Sequence, residues 1–210
     1  MSEGANLKFV SNEAKLGSAI ALANIDPLSE PLNNLTIEKN IATQGGTIYW
    51  VYGRNNLSVE PAGLNSPSIT WRGNKALYGV KYATQAVSIR SPGPYLVGTY
   101  DTALTPPVVA NLFDYYDTRI LSDNVSTSVL RACTDSDCPH ECGDGNRLYL
   151  GGQISTKSQN GSLAWNTLFA SCYPTGYFTA LFTGEVEDPS YFGLISLQVF
   201  IIECLIVIMI

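Results

Sequence analysis

Short runs rich in Val, Ile, Tyr and Trp, many of them bounded by Gly, Pro or Asn, recur along the chain, and segments interrupted this often cannot supply the long amphipathic helices of a bundle. They are Thr47–Tyr52, Ser68–Trp71, Ala76–Ala83, Ala86–Arg90, Tyr95–Tyr100, Ser126–Ala132, Arg147–Ile154, Tyr177–Thr183 and Gly193–Met209. Within Ala76–Ala83, Tyr78, Val80 and Tyr82 share a face, the period of a strand. The turns between runs draw on 18 Gly and 11 Pro residues. With 45% apolar and only 14% charged residues in 210, the chain has the means to bury a core and lacks the charge excess of a disordered one.

Two stretches depart from this pattern. Leu16, Ala19, Ile20 and Ala23 fit one face of a short helix or an ordered arm. After Thr105-Pro106-Pro107, Val109, Leu112, Phe113, Tyr116 and Ile120 recur at helical spacing, with Thr105 as a cap and Pro106 at the first helical position, which predicts a helix. Asp26–Gln44 reads as irregular, ending at Gly45-Gly46. No fixed period of 20 to 50 residues is evident, which argues against a solenoid or propeller. The expected fold is therefore all-β: an antiparallel two-sheet sandwich of jelly-roll type with one or two short helices. Residues 1–45 would form an amino-terminal arm or irregular segment with a possible short helix, and residues 46–210 the sandwich. An immunoglobulin-like sandwich is the alternative, though the Cys, Trp, Cys spacing is not clean.

A formal net charge of −6 disfavours non-specific binding to nucleic acid over the whole surface. The extended basic stretch carries Arg72, Lys75, Lys81 and Arg90 with no acidic residue between Pro61 and Tyr100. Met1–Asn6 shows no basic region leading into an apolar one, so no secretory signal is expected. The single histidine, His140, lies near Cys133, Cys138 and Cys142, whose spacing departs from that of zinc knuckles; free thiols or disulfides involving Cys172 are equally allowed. No phosphate loop, HExxH or GxSxG pattern occurs, and no enzymatic activity is expected. Carboxylates could suit a hard cation instead: Asp114 and Asp117 flank Tyr115-Tyr116, and Asp135, Asp137, Glu141 and Asp144 crowd a second loop. Solvated surface carboxylates are the simpler reading of both sets.

The run Leu194–Ile210 contains only Gln198 and Glu203 as strongly polar members. It is slightly short for a membrane helix, holds a carboxylate near its middle and lacks a basic anchor. Its β-branched content favours a buried strand continuing into a contact between chains, for which Phe200, Ile202, Leu205, Val207 and Met209 are the candidate contact residues.

The stretch Pro94-Tyr-Leu-Val-Gly-Thr-Tyr-Asp-Thr-Ala-Leu-Thr-Pro-Pro and the close Tyr191-Phe-Gly-Leu-Ile-Ser-Leu-Gln-Val-Phe-Ile-Ile-Glu-Cys resemble elements of the jelly-roll coat proteins of small icosahedral viruses. That resemblance implies a structural capsid subunit that self-assembles into a virion shell after residing in host cytoplasm. Its partners would be copies of itself or related capsid proteins, with calcium held between subunits by Asp114 and Asp117. Binding of genomic nucleic acid stays open, and no small-molecule substrate is implied. The alternatives are an exported or surface β-sandwich binding module and a tail-anchored protein touching membrane through its apolar carboxyl terminus.

Overall fold

The computed structural model describes residues 6–22, 34–51, 60–61, 63–64, 66–90, 95–98, 103, 107–132, 147–173, 178–187, 194–196 and 200–204. The chain forms two compact units, one of residues 1–87 with 113–122 and the other of residues 88–112 with 123–210.

The first unit contains β1 (Leu7–Val10), β2 (Glu13–Leu16), β3 (Ile20–Leu22), β4 (Leu35–Glu38), β5 (Ile41–Gly45), β6 (Ile48–Trp50), β7 (Thr70–Arg72), β8 (Lys75–Tyr78) and β9 (Tyr82–Ala83). Every third strand pairs in parallel, giving the sheets β1-β4-β7, β2-β5-β8 and β3-β6-β9. Three successive strands thus make one coil, and three coils stack as a short parallel β-solenoid. Stacking places like on like: Phe9 on Ile37 on Trp71, Ala14 on Ala42 on Ala76, and Ile20 on Ile48 on Tyr82. The core of this unit is built on Leu22, Leu35, Ile37, Ile48, Trp50, Leu64 and Ile69.

Two recurring turns make the coil. Between the first and second strands, Ser11, Lys39 and Gly73 take φ of 55°, 54° and 59°, and the next residue is Asn12, Asn40 or Asn74. These asparagines form a ladder. Asn12 donates its backbone N–H and Nδ2 to Asn40 Oδ1 at 3.0 and 2.9 Å, and Asn40 does the same to Asn74 Oδ1 at 2.9 and 3.1 Å. The amides also tie each coil to the one before, Asn40 Nδ2 donating to Phe9 O and Asn74 Nδ2 to Ile37 O, both at 2.9 Å. Asn40 is fully buried, and the ladder satisfies polar groups that the turn would otherwise strand in the interior. Between the second and third strands the chain turns at Gly17, Gly46 and Gly79, with φ of 61°, 65° and 56°.

The second unit holds β10 (Ser88–Arg90), β11 (Tyr95–Gly98), β12 (Val108–Phe113, its last residue in the first unit), β13 (Thr127–Ala132), β14 (Arg147–Gly151), β15 (Ser155–Lys157), β16 (Ser162–Trp165), β17 (Phe169–Tyr173), β18 (Phe178–Glu187), β19 (Leu194–Ser196) and β20 (Phe200–Cys204). They form sheets in the orders β10-β12-β16 and β11-β20-β18-β13-β15, with β19 on β18, and the pair β14-β17. β12 pairs with β16, β13 with β15 and β18, β14 with β17, and β18 with β19 and β20 in antiparallel fashion, while β11 pairs with β20 in parallel. Ile89, Val108, Ala110, Leu112, Leu163, Trp165 and Leu168 are buried.

The all-β expectation stands, but the jelly roll does not: three small parallel sheets replace a sandwich of two antiparallel ones. The expectation against a solenoid is overturned by the same pairing. Neither expected helix forms among the described residues. Glu13–Leu16 and Ile20–Leu22 are strands β2 and β3, in a segment read as a possible helix or arm, and Leu35–Glu38 and most of Ile41–Gly45, within the segment read as irregular, Asp26–Gln44, are β4 and β5. Val108–Phe113 is a strand because burial alternates strictly, with Val108, Ala110 and Leu112 fully buried and the residues between them half-exposed. Small Ala110 hid that two-residue period behind the helical spacing of its larger neighbours.

Candidate functional site

The first unit gathers five aromatic rings, and one of them hydrogen-bonds the Glu60 carboxylate. Trp50 ends β6, Trp71 lies in β7, Tyr82 opens β9, and Tyr115-Tyr116 sit in the turn after Phe113. The rings form a continuous row: Trp71 meets Tyr82 edge-on at 5.3 Å between centroids, Tyr82 stacks on Tyr116 at 5.5 Å, Tyr116 meets Tyr115 at 5.3 Å, and Tyr115 meets Trp50 at 5.1 Å. These edge-on and offset contacts suit the quadrupoles of the rings.

Hydrogen bonds fix the row. Trp50 Nε1 donates to Tyr116 Oη, which donates to Glu60 Oε1, each at 2.9 Å. Tyr82 Oη donates to the Leu64 carbonyl at 2.6 Å. Burial pushes the Tyr116 phenol far above its ordinary value, and the nearby Glu60 carboxylate adds to the effect. Tyr82 is raised by the same two causes in the same order. Both phenols therefore keep their protons across the physiological range, and Tyr116 remains a donor to Glu60. Trp50 is fully buried and anchors the row, whereas Trp71 and Tyr82 are half-buried and Tyr115 is 37% exposed. Lys81 Nζ lies 5.7 Å from the centroid of the Trp71 ring, a cation–π distance.

The turn that delivers Tyr115 and Tyr116 is organised by Asp114. Its Oδ1 accepts the backbone N–H of Tyr116 at 3.0 Å and of Thr118 at 2.8 Å, and the Tyr115 N–H donates to Thr84 Oγ1 at 3.0 Å. Asp114 is buried and its Oδ2 has no hydrogen-bond partner. Burial raises its pKa above the ordinary 3.8, outweighing the backbone donors that lower it. The folded chain therefore binds this proton more tightly than the unfolded chain. Stability from Asp114 is complete below pH 3.8 and is lost as pH rises through the elevated folded value. Asp114→Asn, which keeps the Oδ1 acceptor, is expected to remove that fall. Urea midpoints measured from pH 3 to 8 should show the variant gaining on the wild type as pH rises, and parallel curves would refute it.

Calcium binding by Asp114 and Asp117 gains no geometric support: Asp114 spends one oxygen inside its own turn, while Asp117 is exposed at φ 62°. Among the described residues no three His, Cys, Asp or Glu side chains converge on a metal position. Cys133, Cys138, His140, Cys142, Asp135, Asp137, Glu141 and Asp144 lie outside the described residues, and Cys172 is opposite Leu148 in the β14-β17 pair. Of the basic stretch, Arg72, Lys75 and Lys81 are exposed on the third coil and Arg90 belongs to the second unit. Phe200 and Ile202 lie on β20, between β11 and β18, opposite Phe182 and Ala180; Leu205, Val207 and Met209 lie outside the described residues.

The parallel topology removes the jelly roll on which the capsid reading rested, and with it the assembling shell, the virion and host-cytoplasm locations and the coat-protein resemblance. The β-sandwich binding module falls on the same ground. For the tail anchor, no helix among the described residues is long and apolar enough to cross a membrane, and Leu194–Ser196 and Phe200–Cys204 of the apolar run are paired strands. No protein-family model matches the chain, and neither does any curated protein.

The aromatic row escaped sequence reading because its members come from separate segments. The available signal was the turn pattern itself: Ser11-Asn12, Lys39-Asn40 and Gly73-Asn74 each precede a second strand that ends at Gly17, Gly46 or Gly79. Aligning those turns brings Trp50, Trp71 and Tyr82 onto neighbouring coils.

Proposed function

We propose that this protein is a non-catalytic saccharide-binding module whose site is the aromatic row of the first unit. The observation that carries the reading is the pairing of partly exposed rings, Trp71 and Tyr115, with a carboxylate held in place by Tyr116. Flat rings accept the C–H face of a pyranose, and a fixed carboxylate accepts hydrogen bonds from its hydroxyls, the mix of apolar surface and few placed polar groups that small-molecule sites use. Lys81, beside Trp71, supplies donors at the same edge. Binding without turnover is the better reading because Glu60 is the carboxylate bonded to the rings, while Asp114 is buried and committed to its own turn, and hydrolysis of a glycosidic bond ordinarily uses two carboxyl groups facing the substrate.

Titration calorimetry against a panel of defined oligosaccharides tests this. At least one class should bind, and Tyr115→Ala should weaken it about tenfold, the equivalent of one lost ring contact. Tyr115 is exposed enough that truncation should leave the fold intact. A panel with no binder, or unchanged affinity in both Tyr115→Ala and Trp71→Ala, would overturn the assignment.

A further inference from the structure

The two ends of the β-solenoid differ in how they are finished. At the third coil, Tyr78 Oη donates to the Thr84 carbonyl at 2.9 Å, and the Tyr115-Tyr116 turn lies against Trp50 and Tyr82. The first coil has no such cover among the described residues. Leu7 is in register with Leu35 on the core-facing side of the coil, yet Leu7 is 53% exposed where Leu35 is 1% exposed. Strands β1, β2 and β3 are each the outermost strand of their sheet. Asn12 heads the ladder: Asn40 Oδ1 and Asn74 Oδ1 each accept two hydrogen bonds from the asparagine one coil earlier, whereas no described residue donates to Asn12 Oδ1.

We propose that the first coil is a docking face for another parallel β-coil, presented by a partner chain, that carries an asparagine at the ladder position. The ladder specifies this occupant. An acceptor waits at Asn12 with the geometry that Asn40 and Asn74 already use, so the incoming turn must offer a backbone N–H and an amide N–H together. Three strand edges, unpaired among the described residues, flank that acceptor and accept strands in the same direction and register as the existing coils. Leu7 then meets an apolar residue above it, as Leu35 meets Leu7. Extending the stack repeats a contact made twice within the unit, whereas a second copy meeting this end face-on would oppose Asn12 with another Asn12 and run its strands antiparallel.

The probe is a fluorescent peptide with the sequence of Leu35–Trp50, titrated into the full chain and followed by anisotropy and amide hydrogen exchange. It should bind saturably, slow exchange within residues 7–22, and lose about tenfold in affinity when its own ladder asparagine is alanine. Asn12→Ala in the protein should abolish that difference, and Leu7→Glu, a change at an exposed side chain, should abolish binding. Tethering the same sixteen residues ahead of the full chain through a flexible linker repeats the test at high effective concentration, with at least tenfold slower exchange expected within residues 7–22. Unchanged exchange there in the tethered chain overturns the proposal. So does indifference to both asparagine substitutions, or concentration-dependent dimerisation of the chain alone that protects the same residues, since a second copy would then be the occupant.

Discussion

Replacing Asn40 by alanine is expected to cost the first unit about 3 to 4 kcal/mol, the largest loss expected from any single polar side chain among its described residues. Asn40 is fully buried, and its side chain takes part in four hydrogen bonds: two accepted from Asn12, and one donated each to the Phe9 carbonyl and to Asn74 Oδ1. Truncation removes these four part-buried hydrogen bonds at once, each worth about 1 kcal/mol, and takes the side-chain partner from the Phe9 carbonyl and the Asn12 N–H together. Asn12→Ala provides the contrast. Asn12 is exposed and its amide makes one side-chain hydrogen bond, so its loss should stay near 1 kcal/mol or below. Urea unfolding, with hydrogen exchange assigning the change to residues 7–22 and 34–50, measures both. Equal effects at the two positions would mean that the ladder contributes nothing beyond ordinary turn hydrogen bonds.

The ladder also explains what could be read from sequence and what could not. Strand content was legible because alternation and β-branching act locally: Ala76–Ala83 overlaps β8 and contains β9, and Ser68–Trp71 overlaps β7. Which strand pairs with which is a non-local property. The ladder asparagines are separated by 28 and then 34 residues, because segments of unequal length intervene between coils, so a fixed-period search finds nothing. The residue before each asparagine varies as Ser11, Lys39 and Gly73, since the turn constrains its φ and leaves its side chain outside. Phe113–Tyr116 misled for a related reason. Tyr116 and Ile120 continue a helical spacing begun by Val109 and Leu112, but Asp114 closes a turn with its own carboxylate and competes with helix formation there. Glu60 had no local signal at all, because only the folded chain brings it to the Tyr116 hydroxyl.

The second turn of each coil gives the other large effect. Gly46→Ala is expected to destabilise the first unit by about 3 kcal/mol or more, while Gly73→Ala should cost about 1 kcal/mol or less, although both residues have φ near 60°. The difference lies in what a Cβ would meet. At Gly73 the nearest atom is Lys39 Cγ at 3.7 Å, an ordinary contact, and Ser11 and Lys39 already occupy the equivalent positions with side chains. At Gly46 a Cβ would lie 2.5 Å from the Ile48 carbonyl oxygen and 2.8 Å from Ala83 Cβ. Gly17 and Gly79 face the same obstacle, with the Ile20 and Tyr82 carbonyl oxygens at 2.5 and 2.3 Å. These obstructing atoms are backbone oxygens two or three residues ahead, so no side-chain rotation relieves them; the turn must open, and with it the pairing of Gly46 N–H to the Tyr78 carbonyl and of Gly17 N–H to the Gly46 carbonyl. Glycine at all three coils is therefore a steric requirement of this turn, whereas glycine at the asparagine turn is one choice among several. Comparing urea midpoints for Gly46→Ala and Gly73→Ala tests the distinction directly: losses of similar size would show that positive φ alone, rather than the carbonyl contact, selects glycine in this solenoid.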